Sequence, residues 1–132
     1  MKYLFLLRDG NDDGPPALDT PEGAELYAGW RTVLDAMRAA GVLVDCGPLT
    51  GVASATTVRV RQGEVLLADG PAAELKEQVG GYTLVECASL DQALAWAARI
   101  PTATKGSVEV RPVIDTSGGP AAVGADAGSA RA

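Results

Sequence analysis

Lys2-Tyr3-Leu4-Phe5-Leu6-Leu7 is the stretch on which the fold turns. Side chains alternate sides along a strand, so an unbroken apolar run places greasy groups on both faces. Such a strand has to be covered from both sides. The run is too short for a signal-peptide core or a membrane span. Arg8 and Asp9 close it, and no later apolar run approaches 18 residues.

Beyond it, residues 9–25 carry six acids (Asp9, Asp12, Asp13, Asp19, Glu22, Glu25) and no Lys or Arg. With Gly10, Gly14, Pro15 and Pro16, the first part reads as a solvated loop, and the spacing of the acids matches no Ca²⁺ loop. A helix then starts at Thr20 as cap, with Pro21 at its first position and Glu22 on its positive end. Leu26, Tyr27, Trp30, Val33, Leu34 and Met37 form its apolar stripe, and Gly41 supplies a left-handed stop. Residues 42–46 read as a strand ended by Gly47-Pro48. Residues 57–61 alternate Val58 and Val60 with Arg59 and Arg61, which predicts one buried and one solvated face. Gln62-Gly63 turns this strand into residues 64–68 as a hairpin.

Asp69-Gly70-Pro71 breaks the chain. Residues 72–79 are expected to form a short helix ended by Gly80-Gly81, followed by a strand at 82–87. Ser89 and Gln92 make a capping box for a second helix, with Leu90, Ala93, Leu94, Ala97 and Ile100 on its apolar face and Pro101 as its stop. The last strand is expected at 107–114. Residues 115–132 hold 12 Gly, Ala and Ser, and are read as a flexible tail behind a domain at 1–114.

The composition narrows the function classes. The chain has 132 residues, enough for one domain, and 47 % of them are apolar. Its 11 Lys and Arg stand against 17 Asp and Glu, a net charge of -6. That balance argues against nucleic acid and against an anionic membrane surface as partners. Histidine is absent, which excludes His-based triads and His-ligated metals. Cys46 and Cys87 are too few for a zinc tetrad and read as free thiols in a cytoplasmic protein. They are able to pair only if their strands are neighbours. No metal and no cofactor are expected.

The order of elements reads as α+β, a ferredoxin-like βαββαβ fold with an inserted β-hairpin. Both helices would cover one face of an antiparallel sheet. The first strand is apolar on the other face too, so a second copy of the chain is the simplest cover. Two sheets closing on each other would make a barrel with a cleft.

Asp69-Gly70-Pro71-Ala72-Ala73-Glu74-Leu75-Lys76-Glu77-Gln78-Val79-Gly80-Gly81-Tyr82 resembles the signature of the DGPF domain in the YCII-related family, a pattern close to DGPFAETKEQLGGYY. Residues 1–7, 41–44, 89–97 and 106–112 also look like that family, so the resemblance covers roughly residues 1–113. It implies a dimeric α/β barrel and a link, through neighbouring or fused genes, to extracytoplasmic-function sigma factors. The wider group has been proposed to hold a site with a His and an Asp. Here Trp30 stands where that histidine would, so no His-dependent chemistry carries over. Ala72 stands where the DGPF pattern has Phe.

The candidate cleft residues are Asp69, Gly70, Pro71, Lys76, Gly81, Tyr82 and Glu86. Asp69 is a candidate base or ligand contact, or else the cap of its own Gly-Pro turn. Lys76 suits an anionic group, or else an exposed ion pair with Glu74 or Glu77. Tyr82 offers a hydroxyl to a ligand, or else a core ring with one wet end. Trp30 and Trp96 read as packing residues. A ligand-binding or regulatory module fits a chain with no histidine and no reactive thiol. The alternative is a small-molecule enzyme with Asp69 or Glu86 as base and Lys76 or Tyr82 as helper.

Overall fold

In the computed structural model, which describes residues 1–10 and 13–118, the run at residues 2–7 becomes the heart of the sheet. Strand β1 (Lys2–Arg8) is paired on both edges, antiparallel to β5 (Val79–Glu86) and to β6 (Ser107–Pro112). Strand β2 (Leu43–Pro48) pairs with the outer edge of β5, so the order is β2-β5-β1-β6. This antiparallel order is the ferredoxin-like one. Residues 119–132, most of the expected tail, and Asn11 and Asp12 of the acidic stretch lie outside the described residues.

Helix α1 (Pro21–Ala39) begins as its sequence demands, with the Thr20 hydroxyl accepting from the Gly23 N–H at 3.0 Å. Gly41 follows it at φ 73°, the left-handed position. Helix α2 (Leu90–Ala97) is capped by Ser89, whose hydroxyl accepts from the Gln92 N–H at 3.2 Å. The returning bond closes on Ala88, not Ser89: the Gln92 side chain accepts from the Ala88 N–H at 2.7 Å. Pro101 does not simply stop a helix. Lacking an N–H to satisfy, it opens the one-turn helix α3 (Thr102–Lys105).

The core lies between the helices and one sheet face. Tyr3, Phe5 and Leu7 of β1 meet Val33 and Met37 of α1, Ala93 and Ala97 of α2, and Ile100, Val85 and Cys87. Phe5, Met37, Ile100 and Val85 are fully buried, each contributing about 1.5–3 kcal/mol of apolar transfer. Trp30 and Trp96 pack against this cluster, and the Arg99 guanidinium sits 4.6 Å from the Trp96 ring centroid. Tyr27, Leu90 and Leu94 belong to the predicted stripes yet stay exposed, because α1 meets the core through Val33 and Met37 and α2 through Ala93 and Ala97.

Two expectations fail. Residues 72–78 form no helix, and Gly80-Gly81 lie inside β5 instead of ending one. The ladder to Leu7 and Pro48 claims Gly81, and tertiary pairing overrides a weak local preference. The other concerns β3 (Thr56–Arg61) and β4 (Glu64–Asp69). They form a separate two-stranded sheet, joined by Gln62 and Gly63 at φ 52° and 79°, and neither face of it is buried. The alternation of Val and Arg correctly assigns sides, but within one chain nothing covers the apolar one.

Cys46 and Cys87 are free, although their strands are neighbours. Cys46 sits opposite Thr83, and Cys87 lies four residues further on, roughly 14 Å away and beyond disulfide reach. Among the described residues no helix is long and apolar enough to cross a membrane.

Gly23 tests how α1 is docked. A Cβ there would stand 1.9 Å from the Ala17 carbonyl oxygen, which already accepts from the Thr20 N–H and hydroxyl. Helix propensity alone favours Gly23→Ala by about 1 kcal/mol. The expected outcome is instead a loss of roughly 1–3 kcal/mol in urea unfolding, as the entry loop is pushed off the helix.

Candidate functional site

The helix-free face of the sheet is built by the even-numbered residues of β1. Leu4 lies between Leu84 and Arg111, and Leu6 between Tyr82 and Glu109. Strand β2 extends both rows, with Asp45 opposite Leu84 and Gly47 opposite Tyr82. Two rows therefore cross the face: Asp45, Leu84, Leu4, Arg111 and Gly47, Tyr82, Leu6, Glu109. Leucines occupy the middle and polar groups the two sides. Four strands span about 14 Å, so the apolar strip flanked by polar groups, called the trough below, has the width of a small molecule. None of Leu4, Leu6, Tyr82 or Leu84 belongs to the helix-side core.

On one side the Tyr82 hydroxyl donates to Asp45 Oδ2 at 2.9 Å. The ring lies across Gly47, where a Cβ would stand 3.1 Å from Cε1, so the missing side chain lets it lie flat. The bond to the Asp45 carboxylate, then desolvation, raise the Tyr82 pKa above the ordinary 10.0, so the phenol keeps its proton near neutrality.

On the other side Arg8 Nε contacts Glu109 Oε1 at 3.0 Å, and Arg111 donates to Glu109 Oε2 at 3.2 Å. These two bonds hold the Glu109 carboxyl below its ordinary 4.5. Arg8 also donates to the Glu77 carbonyl at 3.2 Å, and the Ser107 hydroxyl to Glu77 Oε1 at 3.0 Å. These bonds tie the loop at 70–78 to the end of β1. At the same end a Cβ on Gly80 would meet Asp9 Oδ2 at 2.7 Å, so a side chain there would push the Asp9 carboxylate aside.

The residues singled out from sequence are spread over this frame. Gly81 and Tyr82 stand at the end of β5 where the trough meets the loop. Lys76 is exposed in the loop and makes neither the Glu74 nor the Glu77 ion pair. Asp69 faces Thr56 at the root of the hairpin. It does not cap its turn: the Gly70 N–H goes to the Ala55 carbonyl at 2.8 Å, and the Gly70 carbonyl accepts from Thr57 at 2.7 Å. Half-buried Pro71 follows. Glu86 lies four residues along β5 from Tyr82, about 14 Å away, and pairs with the Met1 amino group.

The carboxylate beside Tyr82 is thus Asp45, which the sequence reading passed over. A lone acid inside the apolar run at 42–46 was its signal. Arg8 and Glu109 had none beyond their place at strand positions. Among the described residues no three His, Cys, Asp or Glu side chains gather as a metal site. Two shallow depressions lie elsewhere. One, of about 270 Å³, runs along α1 beside Tyr27, Trp30 and Arg38, and the other, of about 220 Å³, lies between α1 and α3.

The Tyr82–Asp45 bond makes a direct expectation. In Asp45→Asn the phenol loses its anionic acceptor and its pKa falls back toward 10.0. Alkaline spectrophotometric titration should show one of the three tyrosines ionising earlier than in the wild type. Superimposable curves would mean that the bond does not form in solution.

Comparison with known proteins places the chain. The model of the YCII-related domain matches residues 1–117. An uncharacterized protein, R00369, of Rhizobium meliloti (strain 1021) is 45% identical over 76 residues, 56% of this chain. The match spans 61% of that relative's length. Among solved structures, the 5-chloro-2-hydroxyhydroquinone dehydrochlorinase TftG of Burkholderia phenoliruptrix AC1100, in complex with 2,5-dihydroxybenzoquinone, is similar at 17% identity and a TM-score of 0.43. That likeness covers 84% of this chain and 91% of that one.

Proposed function

The chain belongs to the YCII-related domain family, and on that premise we propose that it is a homodimeric small-molecule-binding module whose ligand lies in the trough of the sheet. The carrying observation is the two-row face: an apolar floor of Leu4, Leu6 and Leu84 between Tyr82–Asp45 and Arg8–Glu109–Arg111. A second copy closes this face and excludes water from the floor. The ligand class that fits is a small, largely apolar molecule with a hydroxyl or carbonyl edge for Tyr82. Lys76 in the loop supplies a cation to an anionic substituent, while Gly81, paired with Leu7, turns toward the helix side of the sheet and only positions Tyr82. Asp69, Gly70 and Pro71 set the root of the hairpin at the rim, and Glu86 is too far along β5 to join them.

In the regulatory form of this reading the ligand state is read by a protein partner. The family resemblance is what supports an extracytoplasmic-function sigma factor in that role. Two free thiols favour a reducing compartment such as the cytoplasm. The second reading is an acid–base enzyme, and the Tyr82–Asp45 pair is the observation that favours it. Asp45 would take a proton and Tyr82 would donate one.

A thermal-shift screen of small phenols, quinones and aromatic acids tests the proposal. A ligand that raises the melting temperature should lose about tenfold in affinity in Tyr82→Phe, or about 1.4 kcal/mol. Chemical conversion of that ligand selects the enzyme reading, and its unchanged recovery the module. Binding unaffected by Tyr82→Phe and Asp45→Asn removes the site from the trough.

The sheet-face dimer is tested separately. The wild type should sediment at twice the 13.5 kDa chain mass at micromolar concentration. Leu84→Arg sets a cation in the floor and should raise the dimer dissociation constant at least a hundredfold. A wild-type monomer, or a variant that dimerises as well as the wild type, refutes the sheet face as the interface.

A further inference from the structure

The hairpin of β3 and β4 has a face that the single chain does not explain. Val58 pairs with Leu67 and Val60 with Val65, so these four aliphatic side chains share one side. They are 60 %, 68 %, 58 % and 65 % exposed in that order. The opposite side carries Thr57, Arg59, Arg61, Glu64 and Leu66. An isolated two-stranded hairpin is marginal in water, and strands whose sides are this clearly sorted are built to lie on something. Neither strand packs broadly on another element of its own chain.

The hairpin springs from one end of the sheet. Strand β2 leaves the ladder at Pro48 opposite Gly81, and β5 re-enters at Val79 opposite Arg8. Its six-residue strands give it a reach of roughly 20 Å, more than the width of the trough. The four side chains expose roughly 300 Å² of apolar surface. Two such arms and the surfaces they cover would bury on the order of 1,200 Å², the lower limit for a stable specific interface. Among the described residues, one surface that matches the arm in kind is the half-buried apolar strip of Leu4, Leu6 and Leu84.

We propose that the hairpin is an exchanged arm: its Val58, Val60, Val65 and Leu67 face lies over the trough of a second copy of this chain and completes the wall of that copy's cleft. The inference rests on the sheet-face dimer proposed above and adds to it. Each cleft then takes floor and polar sides from one chain and its apolar wall from the other. A single chain holds only part of the site, and ligand binding and dimerisation are coupled.

A mixed-dimer measurement tests the arm. Glu64→Cys in a Cys46→Ser background puts a nitroxide on the polar side of the hairpin, clear of the docking face, while Cys87 stays shielded in the core. This unlabelled-nitrogen chain is mixed with ¹⁵N-labelled wild type. The expected result is broadening of the amide signals of Leu4, Leu6 and Leu84 in the ¹⁵N chain, where only the partner's spin label can act. Val58→Lys with Leu67→Glu keeps a cross-strand pair in the hairpin, and circular dichroism checks that the chain folds. This double variant should weaken the dimer at least tenfold. A dimer without broadening, or with broadening confined to the helices, overturns the arm and leaves the sheet-face dimer standing. A wild type that is monomeric throughout overturns both.

Discussion

Strand β1 is apolar on both faces and paired on both edges, and the rest of the chain is arranged around that fact. Its odd residues, Tyr3, Phe5 and Leu7, are covered by α1, α2 and the turn at Ile100. Its even residues, Leu4 and Leu6, have no helix to meet, because a βαββαβ chain places both crossovers on one side. One set of side chains therefore builds the core, and the other leaves a surface that one chain does not cover.

That surface has more than grease to offer. Register sets Tyr82 beside Leu6 and Gly47, and Asp45 within reach of the phenol. Arg8, the first residue after the apolar run, turns back to Glu109 and pins the loop through the Glu77 carbonyl. The loop that carries the DGPF signature is thus held to the end of the central strand by charge-assisted bonds, which are stronger than neutral ones. The signature ends on Gly81 and Tyr82, so it delivers a glycine into the ladder and a phenol into the trough. Its Ala72 leaves the exposed loop with a small side chain where the family pattern has Phe.

How much of the candidate site was legible differs residue by residue. Tyr82 was visible because it follows Gly80-Gly81 in a specific motif. Asp45 was visible only as an oddity, a charge within the apolar run at 42–46, and its meaning depends on β2 lying next to β5. Glu86 looked equivalent to Asp69 on paper, as a base for Tyr82 to assist. A strand rises about 3.4 Å per residue, so four positions carried it out of reach. The expected helix at 72–79 shows the same limit: local preference there was weak, and the antiparallel ladder took Val79, Gly80 and Gly81 instead.

Local chemistry in the sequence determined the strand at 2–7, the capped helix at 21–39, the Ser89 cap and the Gln62-Gly63 turn. Each depends on neighbours a few residues apart, so each can be read from a short window. The ferredoxin-like element order follows from counting those pieces. Only the tertiary structure decided the pairing of Asp45 with Tyr82, the Arg8–Glu109 bridge 101 residues apart in the chain, and the detachment of the hairpin from the main sheet. These are contacts across strands, and strand register is a property of the whole ladder that no single segment contains.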